Sequence, residues 1–143
     1  GGLRPKLHAV QTQGCAPLAR AWQHASETGG GKNAGPRWSE CMWPWENVES
    51  SLADGILDDE TYDWIGVCNA MAESGGSPVV ATEQHIVDAY ALAHKVTAID
   101  VSPTGTAGLA GLLAIRGEIA NDERVVVVFS GVRRHFMPLP TAQ

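Results

Sequence analysis

Positive charge is scarce in this sequence, and a long central stretch has none. The chain carries 10 Lys and Arg against 16 Asp and Glu, which gives a formal net charge of -6. Between Arg37 and Lys95 there is no Lys or Arg, whereas eleven acidic residues fall there. Because such a stretch would repel a phosphate backbone or an anionic membrane surface, we expect no nucleic-acid partner and no membrane partner.

Long apolar runs, paired cysteines and metal-ligand motifs are missing as well. The longest apolar run, residues 107–115, has nine residues with its glycines counted, far fewer than the roughly 20 that span a bilayer. Cys15, Cys41 and Cys68 form no C-x-x-C pair, which predicts free thiols in a reducing, cytoplasmic compartment. The five histidines stand singly, so we expect no metal site.

What the sequence does contain is enough apolar material for one folded unit. Its 143 residues are 44% hydrophobic and 18% charged, which is typical of a globular domain with its own core. We therefore expect residues 1–143 to form a single α/β unit. The chain begins Gly-Gly-Leu without Met, and we interpret it as a piece of a longer polypeptide.

Short apolar runs alternate with helical patterns along the chain. The strand candidates are residues 6–12, 78–81, 96–101 and 124–129. Helical spacing begins at Pro17, at the capping residue Thr82 and at Thr106, and another helix pattern ends at Gly75. The helix from Thr106 is apolar on all sides, so we expect it to be buried. The alternation predicts an α/β fold with a parallel sheet of about four strands flanked by helices.

Residues 26–57 form a long segment without periodicity. It holds a Gly-Gly-Gly run and three of the five tryptophans. One interpretation is an ordered loop whose tryptophans cover the core; the other is a lid or a surface that docks on another structure. The second includes a noncatalytic module that binds a small ligand or a protein through Trp38, Met42, Trp43 and Trp45.

Ligands of parallel sheets bind beyond the carboxyl ends of the strands. We therefore expect three loops to face one side, namely residues 12–15, 102–106 and 130–134. The hydroxyl-rich turn 102–106 is either an anion or carboxylate site at a helix start or an ordinary helix cap. The Ser130-Gly131 step holds either a functional hydroxyl at the sheet edge or a simple turn.

Four phrases occur in an order that resembles the carboxyl-terminal half of threonine synthase and its relatives. They are HAVQTQGCAPLARA (8–21), GGSPVV (75–80), DVSPTGTAGLAGL (100–112) and VVVVFSG (125–131). These relatives are fold-type-II pyridoxal-phosphate enzymes of the tryptophan-synthase β superfamily. The resemblance covers most of residues 6–131 except the Trp-rich segment.

The resemblance implies a lyase that uses pyridoxal 5'-phosphate (PLP) and an amino-acid substrate. In the family, the Schiff-base lysine and the phosphate loop lie upstream of the matched region. The only lysines here, Lys6, Lys32 and Lys95, do not stand in the family's Ser-x-Lys setting. The chain alone would then be inactive and would need the missing N-terminal part. An ammonia-lyase or a dehydratase of the same superfamily is the alternative, and a homodimer is one assembly that the resemblance allows.

The same resemblance assigns site residues. Ser130 matches the family's Ser or Thr that hydrogen-bonds the pyridine nitrogen of the cofactor, and Gly131 completes that step. Thr104 and Thr106 match positions on the substrate side. After Gly131 the family commonly continues Gly-x-Lys-Asp, whereas here Val-Arg-Arg-His stands at residues 132–135, so the resemblance does not specify the reaction.

Overall fold

A short parallel sheet lies at the centre of the structure. The computed structural model describes residues 4–28 and 38–132. Strand β1 (Val10–Thr12) pairs with strand β2 (Val79–Ala81), with Val10 opposite Val79 and Thr12 opposite Ala81. The parallel pairing of strands that are joined through helices confirms the α/β class.

Helices surround this sheet. Within the described residues they are α1 (Pro17–Glu27), α2 (Trp38–Cys41), α3 (Trp64–Ser74), α4 (Glu83–Val96) and α5 (Ala107–Ala114). Short 3-10 turns lie at Asp54–Ile56, Thr104–Thr106 and Arg116–Glu118. In this part of the chain no helix is long and apolar enough to cross a membrane.

Local signals explain where the helices begin and end. Pro17 occupies the first turn of α1, where its missing N–H is not needed. The hydroxyl of Thr82 accepts a hydrogen bond from the His85 N–H, and the His85 ring accepts one from the Thr82 N–H, which caps α4. Gly75 ends α3 with a φ of 76°, a left-handed conformation that favours glycine. These observations confirm the predicted boundaries.

The described residues form two separate hydrophobic cores. In one core α4 and α5 pack with β2 through Ala81, Ile86, Ala89 and Ala110. The other core joins α1, α2 and α3, and Trp64 and Met71 are among its fully buried side chains. The free thiols Cys41 and Cys68 lie in this second core. Burial, and secondarily the neighbouring Cys41 thiol, raises the pKa of Cys68 to about 11.

Two of the predicted strands are not strands in the structure. Residues 96–101 contribute only the last residue of α4 and a single antiparallel bridge between Val101 and Val132. Residues 124–129 are not assigned to any strand. A strand needs a neighbour that supplies a hydrogen-bonded ladder, and the described residues bring none alongside this segment. The sheet therefore has two strands over the described residues, rather than about four.

The prediction that α5 is buried on all sides is also wrong in part. Ala107, Ala110 and Gly111 are buried, but Leu112 and Leu113 are only half-buried. The reason is that the described chain packs against one side of this helix and leaves the rest partly covered.

The Trp-rich segment has more regular structure than the sequence predicts. Helix α1 continues through Glu27, and α2 and the 3-10 turn at Asp54–Ile56 interrupt the remainder. Residues 29–37, with the Gly-Gly-Gly run and Lys32, lie outside the described residues, as do Gly1, Gly2 and residues 133–143.

A pair of helical glycines tests the packing of α5 on the sheet. A Cβ at Gly111 would overlap the side chain of Val10 on β1, and a valine cannot swing away easily because its χ1 is restricted. We expect Gly111→Ala to lower the free energy of unfolding by about 1–3 kcal/mol through overpacking. Gly66 in α3 has open space at the same position, so Gly66→Ala should raise that free energy by up to about 1 kcal/mol. Urea unfolding measures both, and equal effects would contradict the packing described.

Candidate functional site

The turn at residues 102–106 and the step at residues 130–131 meet in the structure. The Ser102 N–H donates to the Gly131 carbonyl at 3.0 Å, and the Ser130 N–H donates to the Gly105 carbonyl at 3.3 Å. Two of the three loops predicted to carry the site are thus joined by their backbones. The end of the loop at residues 130–134, namely Arg133 and Arg134, lies outside the described residues.

Gly105 makes this close approach possible. A Cβ at this position would overlap the carbonyl oxygen of Gly131, which is backbone and cannot rotate away. The Gly105 N–H in turn donates to the Ser102 hydroxyl at 3.0 Å. The turn is therefore held closed by a side chain on one side and by the Ser130-Gly131 backbone on the other.

Four hydroxyl groups lie in these two loops, and three of them are engaged within the protein. Ser102 accepts from Gly105, and the fully buried Thr106 donates to the Pro103 carbonyl at 2.9 Å. Thr104 accepts from the Gly55 N–H at 3.1 Å and donates to the Asp54 carboxylate at 3.5 Å. These bonds support the turn.

Ser130 is the exception among the four. Its side chain is exposed, and its hydroxyl has no hydrogen-bond partner among the described residues. Its N–H nevertheless donates to the Gly105 carbonyl, and the carbonyl of the next residue, Gly131, accepts from the Ser102 N–H. A hydroxyl on a hydrogen-bonded backbone that the fold itself does not use is suited to bind a ligand.

Residues 49–55, which we call the edge segment, run past the loops at the carboxyl ends of both strands. The Glu49 N–H donates to the Gly14 carbonyl at 3.2 Å, after β1, and the Leu52 N–H donates to the Glu83 carboxylate at 2.7 Å, after β2. The bond between Gly55 and Thr104 continues this line. The edge segment therefore contacts both the loop after β1 and the turn before α5, two of the three loops predicted to face one side.

Sequence reasoning missed the edge segment. Its contacts with Glu83 and Thr104 join residues 31 and 49 positions apart. The Asp54-Gly55 pair indicates a turn, but no local pattern states which loop a turn will contact.

Two of the tryptophans that could form an interaction surface, Trp43 and Trp45, pack instead against Arg20 of α1. The Arg20 guanidinium carbon lies 3.9 Å from the Trp43 ring centroid and 4.9 Å from that of Trp45. Arg20 also forms an ion pair with Glu46 at 3.1 Å. A hydrogen bond from the Trp43 indole, with smaller help from Arg20, lowers the pKa of Glu46. These contacts favour the interpretation of an ordered, core-covering loop.

Met42 cannot contribute to such a surface, because it is 2% exposed and belongs to the core of α1, α2 and α3. Trp43 and Trp45 are half-buried on Arg20. The backbone of Trp38 begins α2. Met42 is therefore not available to the binding surface that the interpretation as a noncatalytic module requires.

An open cleft lies between β1 and residues 55–63, but it does not include Ser130. Its volume is about 390 Å³, and Gln11, Asp58, Thr61 and Asp63 are among its lining residues. No residue of the turn 102–106 or of the step 130–131 lines it. Ser130 therefore lies on open surface, and a pocket around it needs further walls.

Comparison with known proteins identifies the family. The model of the family described as "Pyridoxal-phosphate dependent enzyme" matches residues 1–131. The chain belongs to this pyridoxal-phosphate dependent enzyme family. Threonine synthases from Methanocaldococcus jannaschii and Methanosarcina acetivorans are 26% and 29% identical over 129 residues, in each case 89% of this chain.

A solved structure of a threonine deaminase shares the fold. This deaminase, from T.th., superposes with a TM-score of 0.67 at 18% identity and covers 92% of this chain. The chain spans 28% of the length of each threonine synthase and 40% of the deaminase chain. It thus corresponds to a minor part of the polypeptides that it matches.

Substitution of two serines tests which hydroxyl supports the fold and which is available to a ligand. Ser102→Ala leaves the buried Gly105 N–H without a partner, so we expect a loss of about 1–3 kcal/mol in the free energy of unfolding. Ser130→Ala removes an exposed hydroxyl without a partner, and the change should stay within about 0.5 kcal/mol. Chemical denaturation of both variants checks this. A large loss from Ser130→Ala would show that this hydroxyl supports the fold.

The packing of Arg20 on the tryptophans can be tested by a change that retains the positive charge. A lysine cannot stack a planar guanidinium on Trp43 and Trp45, so Arg20→Lys should lower the free energy of unfolding by about 1–2 kcal/mol. It should also change the tryptophan fluorescence. Arg116→Lys, at an exposed position, is the matched control and should leave both quantities unchanged. If the two variants behave alike, the stacking contributes nothing to stability.

Proposed function

We propose that this chain is one part of a threonine synthase-like lyase that acts on an amino-acid substrate. Family membership, together with similarity to two threonine synthases over most of the chain, supports the proposal. The observation that carries it is Ser130, whose backbone is held in place while its hydroxyl stays exposed and available.

Ser130 fits the pyridine nitrogen of pyridoxal phosphate. A hydroxyl can donate a hydrogen bond to a neutral ring nitrogen, whereas a carboxylate at that place would hold the nitrogen protonated. When bound, the cofactor supplies an electron sink that stabilises negative charge at the α-carbon of an amino acid. On this proposal Ser130 orients the ring. Because the residue at this position is a serine and not a carboxylate, the ring nitrogen stays unprotonated.

On this proposal Gly131, Thr104 and Thr106 support or flank the position of Ser130. The Gly131 carbonyl accepts from Ser102 and so keeps the serine at the rim. Thr104, which is half-buried beside the edge segment, lies on the proposed substrate side. Thr106 contributes through the turn that it closes, because its own hydroxyl is buried and bonded to Pro103.

The lysine that binds the cofactor covalently is proposed to lie in another part of the polypeptide. Lys6 and Lys95 are exposed on the surface, and Lys32 lies outside the described residues. The phosphate cradle is likewise assigned to that other part. The three free, buried thiols favour a reducing compartment, and we propose a cytoplasmic location.

A hybrid polypeptide tests the assignment of Ser130. The part of the Methanosarcina acetivorans threonine synthase that precedes its matched region is joined ahead of residue 1, and cofactor binding is followed by absorbance. We expect Ser130→Ala to weaken cofactor binding about fivefold to tenfold, the worth of one hydrogen bond, and Ser130→Thr to restore it. Ser39→Ala, at an exposed position on α2, is the control. Unchanged affinity in Ser130→Ala would remove the assignment.

The same hybrid separates the lyase from its alternatives. We expect it to turn over an amino-acid substrate, and the unfused chain to show no turnover and no covalent cofactor label after borohydride reduction. Ammonia release as the main activity would reassign the protein to the ammonia-lyase or dehydratase branch. A covalent label on a lysine of the unfused chain would contradict the proposal that it is inactive alone.

A further inference from the structure

Glu83 on α4 forms a hydrogen bond to the backbone of the edge segment. Its carboxylate accepts from the Leu52 N–H at 2.7 Å, and the two residues are 31 positions apart in the sequence. A hydrogen bond to an ionised acceptor is short and about twice as strong as one between neutral groups. Glu83 is therefore a strong attachment point for this part of the backbone.

The edge segment relies on side chains to accept the hydrogen bonds of its backbone. Besides the bond to Glu83, the Ala53 N–H donates to the Ser51 hydroxyl at 3.1 Å. The Gly55 N–H then donates to the Thr104 hydroxyl at 3.1 Å. In a helix or a sheet the acceptors are backbone carbonyls, which a substitution does not remove. Here a single substitution can remove an acceptor, so the path of this segment depends on individual side chains.

Glu83 is itself fixed on a rigid element. It is the first residue of α4 and follows directly after the cap that Thr82 and His85 form. A carboxylate in the first turn also interacts favourably with the positive end of the helix dipole. The rest of the helix is attached to the body of the protein through four buried residues, Ile86, Ala89, Tyr90 and Ala93. Because α4 is capped and packed, it presents the carboxylate at a defined place.

The bond at Leu52 lies close to the contact between the edge segment and Thr104. Only Ala53 and Asp54 separate Leu52 from Gly55 in the sequence, and Ala53 is fully buried. A Cβ at Gly55 would lie 2.9 Å from the Thr104 side chain, so these two residues meet without spare room. A displacement of the backbone at Leu52 would therefore reach Thr104 through a short and closely packed stretch.

We propose that Glu83 is a positioning residue, whose carboxylate fixes the edge segment at Leu52 and thereby sets the place of Thr104 beside the bound substrate. The inference rests on the proposed function, which assigns the substrate side to Thr104. The hydrogen bond of Glu83 goes to the edge segment and not to Ser130. We therefore expect the loss of this carboxylate to affect the amino-acid substrate more than the cofactor.

Hydrogen exchange on the full chain without cofactor tests the attachment. Glu83→Ala removes the acceptor, so the Leu52 amide should exchange about tenfold faster. If Glu83 positions the segment, the Gly55 amide should also exchange about fivefold faster, although its own acceptor is unchanged. Glu83→Gln retains an acceptor oxygen and should restore both amides. Asp88→Ala removes an exposed carboxylate from the same helix and is the matched control.

The hybrid polypeptide tests the role in the reaction. We expect Glu83→Ala to raise KM for the amino-acid substrate about fivefold, while the cofactor affinity read from absorbance stays within about twofold. Glu83→Gln should return KM close to the value of the unaltered hybrid, and Asp88→Ala should leave it unchanged. A residue with a merely structural role would lower the melting temperature and leave KM of the folded protein as it was.

Two results would overturn the positioning role: unchanged exchange at Gly55 in Glu83→Ala, or an unchanged KM in a hybrid that turns over its substrate. Melting curves establish that each variant is folded. Should Glu83→Ala not fold, Glu83→Asp takes its place, because the shorter side chain keeps the charge but withdraws the acceptor from Leu52. If the unaltered hybrid shows no turnover, the proposed function fails, and the exchange at Gly55 still decides whether Glu83 fixes the edge segment.

Discussion

The contact between the turn at residues 102–106 and the Ser130-Gly131 step is the constraint on which the candidate site depends. It exists because Gly105 has no side chain, which lets the Gly131 backbone approach closely enough to accept from Ser102. The two bonds hold the serine backbone without using its hydroxyl. A buried turn on one side and an open surface on the other leave the Ser130 hydroxyl accessible to a ligand.

The same region shows how hydroxyls divide between fold and function. Ser102, Thr104 and Thr106 all form internal bonds, since a buried hydroxyl without a partner is costly. The Ser130 hydroxyl needs no partner within the protein, because the residue is exposed and water can hydrogen-bond to it. The edge segment forms hydrogen bonds with the loop after β1, with Glu83 after β2 and with Thr104. It therefore connects the proposed substrate side to the sheet.

Two errors of the sequence prediction, a strand at residues 124–129 and full burial of α5, have one cause. The described residues do not supply the neighbouring segments that would pack against them. Residues 124–129 have the composition of an interior strand, and that composition predicts a strand. A ladder, however, is a property of two segments, and the described chain supplies no second one. The predicted burial of α5 fails for the same reason, because its leucines need a layer that the described residues do not contribute. The Trp-rich segment is ambiguous in sequence, since only packing on Arg20 and the core decides whether tryptophans cover or dock.

The sequence by itself determined the α/β class, the start of α1 at Pro17, the capped start of α4, the end of α3 at Gly75 and the family resemblance. These are local properties, which depend on periodicity, on capping side chains and on residues that are close along the chain. Only the tertiary structure decided that Ser130 is exposed while Thr106 is buried, that the edge segment reaches Thr104, and that residues 124–129 lie without a strand neighbour among the described residues. Those facts depend on contacts between residues far apart in the sequence, and no local pattern encodes which distant groups will meet.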